Sequence, residues 1–100
     1  MPSPNESHRE TCGASWKRVA GEGAHFLSND NKKQTLFWAI GGDAAPETTD
    51  FGYRLPAANI YRDGSVAIVV PTGMGLWIRS GDPDATEQDH AITLTYATAP

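Results

Sequence analysis

TLFWAIGGDAAPETTDFGYRLPAANIYRDGSVAIVVPTGMGLWIR, residues 35–79, alternates short apolar runs with turns marked by glycine and proline. Leu36, Trp38 and Ile40 fall on one side of an extended chain, with Phe37 and Ala39 on the other, so both faces of this strand are expected to be covered. Val66, Ile68 and Val70 share one face of a second run, whose β-branched side chains favour extended backbone. Asp63-Gly64 supplies the positive φ angles of a tight hairpin turn, which predicts that 57–62 and 65–70 are paired strands. Pro71-Thr72-Gly73 turns the chain again. Gly75–Ser80 then sets Leu76 and Ile78 opposite Trp77 and Arg79. A weaker strand over 51–55 is stopped by Pro56.

The same period continues on either side. Residues 15–20, SWKRVA, place Trp16, Arg18 and Ala20 on one face and Lys17 and Val19 on the other. After the Gly21-Glu22-Gly23 turn, 24–28 form another short strand. Residues 91–97 close the chain with Ile92, Leu94 and Tyr96 inward and Thr93, Thr95 and Ala97 outward. No segment holds helical apolar spacing for three turns. Eight short strands separated by frequent turns predict an all-β fold, an antiparallel β-sandwich of jelly-roll or immunoglobulin-like type.

One hundred residues, 39% hydrophobic and 20% charged with ten Gly and seven Pro, make a loop-rich single domain. Such a chain buries roughly 65% of its unfolded surface. Residues 1–14 contain Pro2 and Pro4 and no apolar period; they read as a flexible arm ahead of a domain spanning 15–100.

The net charge of −4 is unevenly placed. Residues 41–100 carry eight acids against three arginines, whereas residues 1–40 are nearly balanced. Without a basic stripe the chain lacks the footprint that a phosphate backbone requires, so direct nucleic-acid binding is not expected. The one cysteine, Cys12, leaves no intrachain disulfide, which fits a reducing compartment. No window reaches the length of a membrane span, and residues 1–13 lack the pattern of a signal peptide. A soluble protein made in the cytoplasm is expected.

Few residues suggest chemistry. His8, His25 and His90 have no metal-ligand spacing, and no serine, Ser65 and Ser80 included, sits in a nucleophile elbow. No enzyme activity and no cofactor are expected. Asp82, Asp84, Glu87 and Asp89 are carboxylates of the kind Ca²⁺ takes, but the segment lacks the glycine and closing glutamate of an EF-hand loop. A solvated acidic loop is the preferred reading. Trp77 and Arg79, with Tyr53 and Arg54, combine the side chains that dominate interfaces and stack on sugars, and they are the candidate contact surface.

The strand TLFWAIGG, the segment FGYRLPAANIYRDGSVAIVVPTG, the strand GMGLWIRSG and the closing AITLTYA carry a resemblance. Their order, a W-x-I-G strand, a G-x-x-L-x-x segment, a hairpin, G-x-x-L-W-x-R and a final alternating strand, resembles small all-β proteins of tailed-bacteriophage virions. It spans residues 15–98 and contains no catalytic signature. What it implies is a virion structural role, foremost a capsid decoration (cement) protein docked as a homo-oligomer on the major capsid protein or another virion protein. Assembly in the bacterial cytoplasm follows from it, and the start at Met1 suits a stand-alone protein. The alternative it leaves open is a carbohydrate-binding or receptor-binding module of a tail fibre.

Overall fold

Where β-branched and aromatic residues alternate with polar ones, the chain is extended, and the turns fall at glycine, proline and asparagine. The computed structural model describes residues 7–46, 52–57 and 64–96. Among these are eight strands: β1 Ser7–Cys12, β2 Lys17–Ala20, β3 Gly23–Asn29, β4 Leu36–Gly41, β5 Tyr53–Leu55, β6 Ser65–Val70, β7 Gly75–Ser80 and β8 His90–Tyr96. They form two four-stranded antiparallel sheets, sheet I in the order β1-β8-β3-β6 and sheet II in the order β2-β7-β4-β5. The pairing is nested: β1 lies beside β8, β2 beside β7, β3 beside β6 and β4 beside β5. The fold is the expected all-β antiparallel sandwich.

The core lies between the sheets. Leu27, Ile68, Val70, Ile92 and Leu94 of sheet I face Leu36, Leu55, Leu76 and Ile78 of sheet II, with Cys12 and Ala20 closing one side. Burying a side chain of this size contributes about 1.5–3 kcal/mol, so these contacts are the main force holding the sheets together. Trp38, Ile40, Val66, Met74 and Tyr96 extend the cluster toward its rim.

Two expectations change, and a third lies outside the described residues. Ser7–Cys12, expected within a flexible arm, is a strand paired with β8 from Ser7↔Thr95 to Cys12↔His90. Its ladder comes from backbone groups, which any side chain permits, and its inward side is anchored by the fully buried Cys12. The strand expected over 57–62 falls, apart from Ala57, outside the described residues; among the described residues β6 pairs with β3. Finally, Ala20 does not share a face with Arg18. An irregularity between Arg18 and Ala20 shifts the register, so Arg18 points outward beside Trp77 while Ala20 enters the core beside Leu76.

The β1–β2 connection passes very close to the acidic segment after β7. A Cβ on Gly13 would lie 2.7 Å from the carbonyl carbon of Thr86 and 2.8 Å from the oxygen of Ala85, so only glycine fits there. The Gly13 carbonyl accepts from the Ser80 amide (2.7 Å), and the Ala85 carbonyl accepts from the Ala14 amide (3.2 Å).

Candidate functional site

The outer face of sheet II carries the densest group of interaction-prone side chains. Register places Arg54, Phe37 and Arg79 side by side on β5, β4 and β7. The Arg79 guanidinium lies 4.2 Å from the centroid of Phe37 and 5.3 Å from that of Trp16, and the Arg54 guanidinium stands 6.0 Å from Phe37 on its other side. Cations over ring faces are attracted by the ring quadrupole, by about 0.5–1 kcal/mol where solvent is near. Trp16 extends this row beyond Arg79. A Cβ on Gly52, whose φ is +125°, would lie 2.9 Å from its Cη2, so Gly52 makes room for the ring.

The four residues expected as a contact surface therefore separate. Arg54 and Arg79 share this outer face. Trp77 lies on it too but is only 8% exposed, and its Nε1 donates to the Gly42 carbonyl at 3.1 Å. The ring is wedged against Gly41, and Arg18, its register partner, reaches past it to Asp43 at 3.1 Å. As an exposed stacking platform Trp77 is thus corrected: its indole is a packed part of the sheet. Tyr53 points to the opposite side, stacked on Trp38 at 4.6 Å, and stays 63% exposed because the core ends at β5.

Asp82, Asp84, Glu87 and Asp89 do not converge, and among the described residues no group of three or more His, Cys, Asp or Glu could hold a metal. Two of these carboxylates cap turns instead. Asp82 Oδ1 accepts from the Asp84 amide (3.0 Å) and Asp89 Oδ2 from the Thr86 amide (2.8 Å).

A buried polar relay went unread in the sequence. His90, Ser80 and Asn29 are almost fully enclosed. Asn29 Nδ2 donates to the carbonyls of Gln34 (2.9 Å) and Leu55 (3.0 Å), which turns Oδ1 toward His90. His90 Nε2 is therefore the N–H donor to that oxygen at 2.7 Å, and Nδ1 accepts from Ser80 Oγ at 2.8 Å. Ser80 Oγ accepts in turn from the Asp82 amide at 3.1 Å. Burial lowers the His90 pKa, against the opposing charges of Asp30 and Asp82. The order Ser–His–Asn looks like a hydrolytic triad, yet the hydroxyl lies below the surface and every polar atom named is engaged. Its hydrogen bonds join the two sheets. Nearby, a depression of about 390 Å³ is lined by Arg9, Ser28, Asp30 and Lys32, with Asp30 held by Thr93 Oγ1 (2.6 Å) and Ser28 Oγ (3.3 Å).

The other histidines stand at the far end of the interior. His8 stacks on Tyr96 at 5.4 Å, and Tyr96 meets the edge of His25 at 4.9 Å. His25 Nε2 lies 2.9 Å from the Gly21 carbonyl. Burial, reinforced by the charge of Glu10, raises the Tyr96 pKa.

Fold and surface together define a small antiparallel sandwich with an arginine–aromatic outer face. No family model, curated protein or solved structure matches the chain.

Proposed function

We propose that this is a non-enzymatic docking protein that attaches to a larger assembly, of the decoration type carried by tailed-bacteriophage capsids, and that the outer face of sheet II is its contact surface. The observation that carries the reading is the Arg54–Phe37–Arg79–Trp16 row. Arginines already held against rings lose little freedom on binding, and Arg and Trp dominate the energetics of protein contacts. Among the described residues Asp43 pairs with Arg18 on this face, and the arginines the face carries suit an acidic patch on a major capsid protein or another virion protein.

The nested pairing supports the jelly-roll over the immunoglobulin-like form, whose sheets are not built from such nested pairs. Jelly rolls serve in both capsids and lectins, so the fold supports the class of role without choosing the partner. The buried Ser80–His90–Asn29 relay supports a non-catalytic role, because its hydroxyl is enclosed and already hydrogen-bonded to His90.

The test is mass spectrometry of density-gradient-purified particles from the strain that encodes this chain. A fixed, multiple copy number per particle is expected; absence from the particles overturns the proposal.

A second reading, a glycan-binding or receptor-binding module, rests on Tyr53, whose exposed ring is stiffened by its stack on Trp38. A glycan array separates the two. Binding that disappears in Tyr53→Ala supports the glycan reading, and no binding by wild type removes it.

A further inference from the structure

We propose that the outer face of sheet I is a self-association surface through which two copies of this chain pair about a two-fold axis. The inference goes beyond the docking reading and does not depend on it.

Within β1, β8, β3 and β6 the outward positions hold serine, threonine, alanine, phenylalanine and valine, and among the described residues of these strands the one charged exception is Arg9 on the outermost strand. A solvated sheet face in a chain with 20% charged residues ordinarily carries several charges. Depletion of charge is instead the mark of the centre of a protein contact. Among the described residues Asp30 sits at the rim, with its oxygens accepting from Thr93 and Ser28.

The apolar centre of the face is exposed. Phe26, on β3 between β8 and β6, is 48% exposed, and Val69 on β6 is 73% exposed. Phe26 is flanked in register by Ala67 and Thr95, and Val69 by Ala24. The ring therefore stands above a floor of small side chains. A two-fold axis through this region seats each Phe26 on the small-residue floor of the other copy, a ridge meeting its own hollow.

The occupant follows from charge. An isologous contact brings a patch against its own image, so a charged patch repels itself. Sheet II would set Arg54 and Arg79 against the same arginines, and the remaining surface of a chain of net charge −4 is dominated by acids. Sheet I is the face that tolerates its own image. The molecule measures 33 × 32 × 21 Å, so a contact over a broad face approaches the ~800 Å² per partner of a standard interface.

Sedimentation equilibrium tests this over roughly 1 to 500 µM, the range in which contacts of modest quality dissociate. The weight-average mass is expected to rise with concentration from 10.7 kDa toward twice that value. Val69→Arg and Phe26→Lys, both checked for folding by circular dichroism, are expected to raise the dissociation constant at least about tenfold. Tyr53→Ala, on the other sheet, is expected to leave it unchanged. A mass that stays at 10.7 kDa across the range overturns the proposal. So does association that survives both charge variants, or that Tyr53→Ala weakens equally. None of these results touches docking through sheet II, which fails separately if the protein is missing from the particles.

Discussion

His90 Nε2 lies 2.7 Å from Asn29 Oδ1, joining two residues 61 positions apart in the buried interior and linking, through Ser80 and the Leu55 carbonyl, one sheet to the other. The ring is neutral in this arrangement, since Nδ1 must accept the Ser80 proton.

Stability is accordingly expected to fall in acid. The folded His90 pKa lies below its ordinary 6.5 because burial disfavours the charged ring, so between 6.5 and the folded value the unfolded chain binds the proton more readily. The contribution of the neutral ring is complete above pH 6.5 and is lost as pH drops through the folded pKa. Urea melts from about pH 7.5 to about pH 5 are expected to show a steeper loss in wild type than in His90→Leu. Equal slopes would refute this role for His90.

Asn29→Ala is expected to cost about 3 kcal/mol, because it leaves the carbonyls of Gln34 and Leu55 and the His90 N–H without their partner in a dry site. Chemical denaturation checks the value. A loss under about 1 kcal/mol would mean that water replaces the amide freely.

Trp77→Ala is expected to destabilise the fold by about 3–5 kcal/mol, the cost of removing a packed aromatic. Trp77→Phe, which keeps the apolar body and loses the bond to the Gly42 carbonyl, is expected to cost about 1–2 kcal/mol. If thermal unfolding of Trp77→Ala matches wild type, the indole is not the structural element described here.

Gly13→Ala brings a Cβ within 2.8 Å of backbone atoms of Ala85 and Thr86, which cannot turn aside as a side chain could. A loss of about 1–3 kcal/mol is expected. Gly21→Ala meets nothing within 4 Å and serves as the contrast, with a change within about 0.5 kcal/mol. Denaturant midpoints of the pair measure the difference.

The Cys12 thiol is fully enclosed, and burial pushes its pKa up to about 11, outweighing the nearby Lys17 charge. Its neutral form contributes stability that is complete below the unfolded thiol pKa and lost as pH rises through about 11. At neutral pH a thiol reagent is expected to modify it only as fast as the chain opens, with urea accelerating the reaction. Rapid single-phase modification of the folded protein would contradict the burial.

Much of the scaffold could be read from alternation. Val66, Ile68 and Val70 point inward together, as do Ile92, Leu94 and Tyr96, because burial of one face selects apolar residues at every second position. The same rule fails at an edge. The β1 segment SHRETC turns His8, Glu10 and Cys12 inward where the core thins, and Glu10 ends beside Lys17 at 3.3 Å, so no apolar period marks the strand. Alternation placed Trp77 correctly opposite Leu76 and Ile78 but carried no sign that the Gly41–Gly42 backbone would cover it. It also grouped Tyr53 with Arg54, neighbours in sequence that necessarily point to opposite faces. The His90–Asn29 bond depends on β3 and β8 becoming neighbours, and sequence spacing does not encode strand order. An Asn just before a polar loop and a His at the start of an apolar strand were the local signals available.

The most direct measurement of the central claim is cryo-electron microscopy of the particle from the strain encoding this chain. The account predicts density for the sandwich on the particle surface, with the outer face of sheet II, Arg54 and Arg79 foremost, against an acidic patch of a virion protein. A particle that lacks this density, or one on which sheet II faces solvent, would contradict it.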